Sequence, residues 1–292
     1  MPELPEVETV RAGLARLLPG RIVREVVVGP NAPKSFPNAA ADVAEFLIGA
    51  QVTEVTRRAK VLMITLSTSY SLIIHLKMTG QLVFDSAREH FGAGHPNDSL
   101  VGALPDKSTR VTLQFADGSQ LFFNDQRKFG WMRLLPTAQI PELDFFKKVG
   151  PEPLATDFTW QQFRDRLRRR NKSGIKAVLL DQTVIAGVGN IYADESLWGA
   201  KIHPSTLVGQ LSDAQIKSLY TALRDVLQLS IDKGGSSNHT YVDAEGRKGS
   251  YMTFANVFRR EGQACPRCGT TIVKIRAAGR GTHLCPHCQQ LT

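Results

Sequence analysis

The sequence has no long hydrophobic run. No apolar stretch among its 292 residues approaches the roughly 20 residues that a helix needs to cross a bilayer. The pattern of a secretory signal peptide is also missing, because the N-terminus is acidic and is interrupted by Pro2 and Pro5. We therefore expect a cytoplasmic protein with no membrane partner.

Cysteine is scarce, with four residues in the whole chain. In a cytoplasmic protein, a small number of cysteines favours metal binding over disulfide bonds. All four lie near the C-terminus, as Cys265-Pro-Arg-Cys268 and Cys285-Pro-His-Cys288. Two such pairs predict one structural zinc ion, since four thiolates leave no open coordination position for catalysis. His283 and His287 are alternative ligands that the paired cysteine spacing disfavours.

Acidic residues are fewer than basic residues in this chain. Lysine and arginine total 36 against 27 aspartates and glutamates, which gives a net charge of +9. This balance favours a polyanionic partner, and nucleic acid before an acidic membrane surface. Charge alone leaves an ordinary solvated basic surface as an equal alternative.

Short strand-like segments dominate the first half of the chain. They follow an N-terminal helix predicted by apolar residues at helical spacing, from Val7 to Leu18. A second helix is predicted around Asp42–Ile48, and residues 86–108 predict a long exposed loop. Many short strands with few helices indicate a sandwich or barrel. The predicted strands are Ile22–Val28, Gln51–Thr56, Val61–Leu66, Ser71–Leu76, Arg110–Phe115, Gln120–Asn124 and Trp131–Leu135.

The second half of the chain has a helical pattern. Residues 136–153 contain four prolines and little periodicity, which predicts a linker. Beyond it, capping-box patterns begin at Thr159 and Ser212. The segment Gly187–Asn190 lies between two helical stretches and predicts a phosphate-binding helix start with Asn190 as N-cap. The basic residues between 164 and 176 favour a DNA-binding surface there, with an ordinary helical corner as the alternative.

Six separate segments carry a more specific pattern. They are Met1–Val10, Arg57–Lys60, His75–Gly80, Asp125–Gly130, Gly187–Ala193 and Gly279–Gln289. In this order they resemble the formamidopyrimidine-DNA glycosylase family, also called Fpg or MutM, of bacterial base-excision repair. Leu4 favours this family over the related endonuclease VIII family, whose members usually begin MPEGPE.

The resemblance implies an α+β fold with two domains. The N-terminal domain would be a β-sandwich with flanking helices, and the C-terminal domain would join a helix-two-turns-helix motif to a four-cysteine zinc finger. The expected segments are a catalytic domain at 1–135, a linker at 136–153, a DNA-binding domain at 154–235, a lesion-capping loop and connection at 236–262, and the zinc finger at 263–292.

The resemblance also implies a bifunctional DNA glycosylase and AP lyase. Such an enzyme removes 8-oxoguanine and formamidopyrimidines from damaged double-stranded DNA by Schiff-base chemistry and β,δ-elimination. Once Met1 is lost, Pro2 would be the attacking secondary amine and Glu3 the general acid–base residue. Glu6 would organise the site by accepting backbone N–H bonds, and Lys60 would contact the DNA backbone beside the lesion.

The resemblance assigns further residues to the DNA. Met78, Arg127 and Phe129 match the residues that fill the gap left by an extruded base. The lesion-capping loop falls on Ser236–Tyr241, with roles for Thr240 and Tyr241. The expected phosphate contacts are His75, Lys128, Lys172, Asn190 and Arg280.

Several positions depart from the family pattern and leave the substrate preference open. Lys77 stands where some members have glycine, and Lys128 replaces a frequent arginine. One alternative is an endonuclease VIII-like glycosylase for oxidised pyrimidines. Another is a non-catalytic, zinc-containing DNA-binding protein. In each case we expect a monomer in the bacterial cytoplasm, associated with the nucleoid.

Overall fold

A computed structural model describes residues 2–30, 32, 34–95, 97–235 and 251–291. The chain divides into two compact units. The first unit comprises the described residues of Met1–Lys147 and Lys233–Met252, and the second comprises those of Lys148–Asp232 and Thr253–Thr292. Each unit is built from two separate stretches of the chain, so segments far apart in sequence belong to the same unit.

The first unit begins with helix α1, Leu4–Leu17. Pro5 lies in its first turn and Glu6 lies near its positive end, as expected for a helix N-terminus. The apolar residues that predicted this helix are buried, with Val10 and Leu14 fully inaccessible to solvent. The predicted first helix is therefore confirmed.

Strands and one short helix make up most of the first unit. In chain order they are β1 (Val23–Val28), α2 (Ala40–Phe46), β2 (Val52–Arg58), β3 (Val61–Leu66), β4 (Tyr70–His75), β5 (Gly80–Asp85), β6 (His90–Gly94), β7 (Thr109–Phe115), β8 (Gln120–Asp125) and β9 (Trp131–Pro136).

The strands form two antiparallel sheets. One has the order β1-β7-β8-β5-β6 and the other the order β2-β3-β4-β9. Buried side chains of both sheets, such as Ile64 and Phe123, share one apolar core with Val10 of α1. The predicted β-sandwich with flanking helices is confirmed.

The predicted exposed loop at 86–108 is wrong. This segment contains β6 and a short 3-10 helix, Asp98–Leu100. Phe91 and Ala93 are buried because β6 pairs with β5, where Phe91 lies opposite Phe84. The glycine-rich composition concealed a strand whose alternate side chains enter the core.

The segment 136–153 begins with regular structure. A 3-10 helix, Thr137–Glu142, is followed by the short helix α3, Asp144–Lys148. Ile140 is buried against Val61 and Ile73 on the outer face of a sheet. Apolar anchoring therefore holds the beginning of this proline-rich segment against the first unit.

Helices dominate the second unit, as the sequence predicts. After the long helix α7 come a short helix and a hairpin. No helix within the described residues is both long and apolar enough to cross a bilayer. The elements are α4 (Trp160–Arg168), α5 (Ile175–Leu180), α6 (Asn190–Gly199), α7 (Asp213–Asp232), α8 (Tyr251–Phe254), β10 (Val273–Ala277) and β11 (Arg280–Leu284).

Both predicted capping boxes in the second unit are confirmed. The Gln162 backbone N–H donates to Thr159 Oγ1 at 3.3 Å at the start of α4. The Gln215 backbone N–H donates to Ser212 Oγ at 3.2 Å at the start of α7. Each bond satisfies a helix-terminal N–H that has no partner within the helix.

A buried ion pair joins three elements of the second unit. Lys176 of α5 is fully buried, and its Nζ lies 2.6 Å from Asp194 Oδ1 of α6. The same Nζ donates to Thr282 Oγ1 of β11 at 2.6 Å, while Asp194 Oδ2 accepts the His283 backbone N–H at 2.9 Å. Lys176 therefore serves the core, and its inclusion in the predicted DNA-binding surface is wrong.

A second buried carboxylate lies next to Asp194. Glu195 accepts the backbone N–H groups of Asn256, Val257 and Phe258 at 2.8–2.9 Å. A carboxylate with several N–H partners can be buried without leaving its oxygens unsatisfied. Consecutive acids in α6 thus attach the C-terminal segment to the helical part of the unit.

We predict that Lys176→Met will lower the free energy of unfolding of the second unit by about 3–5 kcal/mol, because it leaves the Asp194 charge buried without its ammonium partner. Urea denaturation measures this change. The matched control is Lys217→Met on the exposed face of α7, which should have little effect. Equal stability of the two variants would contradict the structural role of the buried pair.

Candidate active site and DNA-binding surface

The start of α1 holds the residues predicted to carry catalysis. Pro2 and Glu3 are both buried, and Glu3 is the N-cap of the helix. Glu6 Oε2 accepts the Glu3 backbone N–H at 2.8 Å, and the two glutamates form a reciprocal capping box. The backbone next to Pro2 is therefore fixed, and Glu6 accepts a backbone N–H bond of the kind predicted for it.

A glycine from the far end of the first unit passes next to Glu6. Gly235 has a φ of +90°, and a Cβ at this position would lie 3.3 Å from Glu6 Cγ. Only glycine adopts this conformation readily while approaching so closely. Gly235 immediately precedes the predicted capping loop, whose residues Thr240 and Tyr241 lie outside the described part of the chain.

Lys60 occupies the two-residue turn between β2 and β3. It is 6% exposed, which excludes a surface lysine at a strand end. Arg57 Nε donates to Glu8 Oε2 of α1 at 2.9 Å, and Arg57 Nη1 donates to the Ala59 carbonyl at 2.7 Å. These bonds tie the Lys60 turn to the helix that begins beside Pro2.

The three residues predicted to fill a base gap lie together on the surface. Met78 and Phe129 are 39% and 53% exposed, whereas ordinary core residues of these types would be buried. Arg127 Nη1 lies 3.1 Å from Met78 Sδ, and its guanidinium carbon lies 4.8 Å from the Phe129 ring centroid. We call Met78, Arg127 and Phe129 the wedge cluster.

His75 lies at the end of β4, before the turn that carries Met78. Burial, together with the nearby charges of Lys77 and Lys60, lowers the pKa of His75 to about 3. The Lys77 backbone N–H donates to His75 Nδ1 at 2.9 Å, so the neutral ring carries its proton on Nε2. His75 can therefore donate one neutral hydrogen bond.

Two positive backbone angles shape the turns around the wedge cluster. Lys77 has a φ of 51° and Lys128 a φ of 59°, in the left-handed region that favours glycine. The first value agrees with the glycine that some family members have in place of Lys77. Lys128 is exposed, with its charge available to a polyanion.

The predicted N-cap in the glycine-rich segment needs correction. Gly189 caps α6, and Asn190 is the first residue of the helix. The Asn190 side chain instead donates through Nδ2 to the Gly281 carbonyl at 3.0 Å. This bond joins the start of α6 to the β10–β11 hairpin, so two predicted phosphate-binding segments lie side by side.

Arg280 and Lys172 are exposed, as a phosphate contact requires. Arg280 follows the hairpin turn Ala278-Gly279, in which both residues have positive φ. Some of the basic residues before α5 form contacts within the protein and are not reserved for DNA. Arg164 pairs with Asp165 and Asp213, and Arg168 donates to the Leu211 carbonyl at 2.6 Å.

The four cysteines form one cluster. Their Sγ atoms all lie within 4.8 Å of one another. A tetrahedral zinc site, with Zn–S bonds of about 2.3 Å, places its sulfurs about 3.8 Å apart, so the cluster fits this ion. His287 is exposed, and the ring nitrogens of His283 lie 3.3 Å from Asp194 and 3.2 Å from Glu261. The prediction of one structural zinc ion is confirmed.

Sequence reasoning missed the buried acids that organise these sites. Asp125, Asp194 and Glu195 are all fully buried and accept several hydrogen bonds each. One signal was present for two of them, because Asp194-Glu195 stands within an otherwise apolar helical stretch. An acid at that position must have partners, although the sequence does not say which.

The fold and these clusters define a class: a zinc-finger DNA-binding protein that joins a β-sandwich to a helix-two-turns-helix domain. Three family models match the chain. They are the formamidopyrimidine-DNA glycosylase N-terminal domain over residues 1–132, the H2TH domain over 149–242, and the zinc finger found in FPG and IleRS over 262–291. The chain belongs to the formamidopyrimidine-DNA glycosylase family.

Individual relatives agree over the full length. The chain is 43% identical to a formamidopyrimidine-DNA glycosylase of Pediococcus pentosaceus, with 100% of both chains covered. It is 38% identical to Lactococcus lactis Fpg in complex with abasic-site DNA, with a TM-score of 0.86 and 99% of both chains covered. A complex of that protein with oxidised-pyrimidine DNA has a TM-score of 0.85 at 38% identity, covering 99% of this chain and 100% of the other.

We predict that the purified protein will contain one zinc ion and that Cys285→Ser will lose it, because a three-thiolate site binds zinc more weakly. Elemental analysis measures the zinc content. His287→Ala, two residues away and exposed, is the matched control and should retain the metal. Zinc loss in the histidine variant would show that the ligand set includes His287.

Proposed function

We propose that this chain is a bifunctional DNA glycosylase and AP lyase of base-excision repair that removes oxidised purines from double-stranded DNA. The observation that carries the proposal is the buried Pro2-Glu3 pair, held at the start of α1 by Glu6. A terminal secondary amine fixed beside a carboxylate has the two functions that base removal needs: a nucleophile and a proton donor.

Pro2 attacks C1′ of the damaged nucleotide, and the bond from C1′ to the base breaks. The base leaves with the bonding electrons and takes up the proton that the Pro2 amine loses. Glu3 donates its proton to the sugar ring oxygen as the ring opens, and an iminium forms between Pro2 and the sugar. This cation withdraws electrons from the sugar, which allows successive β- and δ-elimination of the two flanking phosphates. One residue thereby supports both base removal and strand cleavage.

The position of Pro2 supports this chemistry electrostatically. The amine precedes a helix N-terminus, where the aligned peptide dipoles disfavour positive charge. A neutral amine keeps the lone pair that attack requires. Lys60, tied to α1 through Arg57 and Glu8, supplies a cation for the DNA backbone beside the lesion.

The target nucleotide must leave the base stack before Pro2 can reach C1′. The exposed wedge cluster supplies apolar side chains to occupy the gap and an arginine to face the unpaired cytosine. The phosphates are held by His75, Lys128, Lys172, Asn190 and Arg280. Such contacts position the duplex without reading its sequence.

A single chain carries the amine, the wedge cluster and the zinc site, so the enzyme needs no second subunit for this chemistry. We therefore propose a monomer that acts in the bacterial cytoplasm, on the DNA of the nucleoid. Its functional segments are those expected from the sequence, with catalysis assigned to 1–135, capping to 236–262 and zinc binding to 263–292.

Oxidised pyrimidines form a second candidate substrate class. The structure of Lactococcus lactis Fpg with oxidised-pyrimidine DNA is the observation that favours it. Duplexes that carry 8-oxoguanine opposite cytosine, compared with thymine glycol duplexes, separate the two classes. Faster excision of thymine glycol would contradict the purine preference that Leu4 indicates.

We predict that borohydride will trap a covalent complex between the protein and abasic DNA, and that Pro2→Gly will lower the yield of adduct, because it exchanges the secondary amine for a primary one. Glu3→Gln should slow base excision by about 10²–10⁴-fold, because it removes the proton donor. Gel shift measures trapping, and mass spectrometry locates the adduct and verifies the loss of Met1.

The control for this experiment is Glu25→Gln, a charge-neutralising change at an exposed position of β1. It should leave trapping and excision unchanged. An adduct elsewhere than Pro2, or none in the processed protein, would rule out the proposed nucleophile. If the chain were a non-catalytic DNA-binding protein, the processed protein would form no adduct.

We predict that His75→Ala will weaken DNA binding without changing its salt dependence, because a histidine with a pKa of about 3 is neutral at physiological pH. Lys128→Gln should instead reduce the slope of log K against log salt concentration by about 0.9, the value for one phosphate neutralised. Fluorescence anisotropy at several salt concentrations measures both. A reduced slope for His75→Ala would show that the ring is charged in the complex.

A further inference from the structure

The wedge cluster is built from two separate turns that meet at one point. The β4–β5 turn carries Met78, and the β8–β9 turn carries Arg127 and Phe129. The first turn ends at Gly80 and the second begins after Asp125, and these two residues lie opposite each other in the register of β5 and β8. The side chain of Asp125 points into the space where the turns meet.

The Asp125 carboxylate bonds to both turns. Its Oδ1 accepts the Thr79 hydroxyl of the first turn and the Arg127 backbone N–H of the second, the latter at 3.2 Å. Its Oδ2 accepts the Gly130 backbone N–H at 2.6 Å, at the far end of the second turn. Thr79 Oγ1 also accepts the Arg127 N–H at 3.0 Å.

The backbone of Asp125 is held by hydrogen bonds to a neighbouring segment. The residue is fully buried, and its backbone carbonyl accepts Arg110 Nε at 2.8 Å. Its backbone N–H donates to the Ser108 carbonyl at 2.8 Å. The strand β7 thus fixes the main chain of Asp125, and the carboxylate transmits that position to both turns.

Gly130 packs closely against its neighbours, with no room for a side chain. A Cβ at Gly130 would lie 2.9 Å from the Phe123 ring and 3.1 Å from Asp125 Oδ2. The surface contact that joins the turns, from Arg127 to Met78, is weak and open to solvent. The buried carboxylate is therefore the stronger connection between the turns.

We propose that Asp125 is a positioning residue that holds Met78, Arg127 and Phe129 in one arrangement before DNA binds, so that they enter the duplex as a unit. The inference rests on the proposed function, in which this cluster fills the gap left by the extruded base. Preorganisation matters because extrusion costs free energy that the inserted side chains offset only if they need no reordering.

The test uses Asp125→Asn in the full-length, zinc-loaded enzyme. This variant keeps one acceptor oxygen but can turn its NH₂ group toward the Gly130 N–H. The hydrogen bond from Gly130 to the side chain of residue 125 is then lost. We expect excision of 8-oxoguanine opposite cytosine to fall by about 10- to 100-fold, because a small displacement of the groups that position a substrate slows its reaction by this order. The preference for cytosine over adenine opposite the lesion should fall with it, because Arg127 faces that base.

A second substrate distinguishes a loss of wedge-cluster positioning from a loss of the fold or of the catalytic centre. A single-stranded abasic oligonucleotide has no opposite base and no gap to fill, so borohydride trapping on it reports only Pro2 and Glu3. Trapping on this substrate should be unchanged in Asp125→Asn. Thr79→Val, which removes the hydroxyl between the turns, should lower duplex excision in the same direction and provides the test if Asp125→Asn does not fold.

The matched control is Asp117→Asn, in the β7–β8 turn of the same unit. Its carboxylate also accepts a turn N–H, that of Ser119 at 3.0 Å, but it is exposed. This variant should behave as the unmodified enzyme in both assays.

Three results would overturn the proposal. Unchanged duplex excision and opposite-base preference in Asp125→Asn would show that the hydrogen bonds of the Asp125 carboxylate to the two turns are not needed. An equal loss of duplex excision and single-strand trapping would show that Asp125 supports the catalytic centre or the fold instead. Failure of the unmodified enzyme to trap either substrate would overturn the proposed function as well, and is recognised before any variant is compared.

Discussion

The hydrogen bond from the Glu3 backbone N–H to Glu6 fixes the backbone beside Pro2, close to a chain end that is poorly ordered unless it is held. A chain terminus can serve as a nucleophile only if its approach to the substrate is reproducible. The capping box provides this order because it satisfies helix N–H groups and restricts the residue next to Pro2. The sandwich core beneath α1 and the close passage of Gly235 depend on the same helix start.

Buried carboxylates repeat this strategy elsewhere. Asp194 and Glu195 accept backbone N–H groups from segments distant in sequence. Asp125 accepts the distant Thr79 hydroxyl together with the nearby N–H of Gly130. A buried charge with one partner removed is costly, so these acids define positions more than they add net stability. The enzyme thereby keeps surface turns in a fixed arrangement although the turns themselves have little apolar packing.

Much of the fold follows from local patterns. The alternation of β3 and the helical spacing of α1 predicted their elements, because one face of each must enter the core. The strand β6 escaped prediction, since glycines and a histidine masked the alternation at Phe91 and Ala93. Asn190 was assigned to the cap on residue type alone, whereas the approach of the hairpin draws its side chain to Gly281.

The sequence by itself determined the zinc ligands, the family and the candidate nucleophile, because each depends on residue types at fixed short spacing. Only the tertiary structure decided which charges face solvent. Lys176 and Lys172 stand four residues apart in one basic run, yet the first is buried with Asp194 and the second is exposed. That difference depends on which helix and which hairpin pack against α5, and the partners Asp194 and Thr282 lie far along the chain.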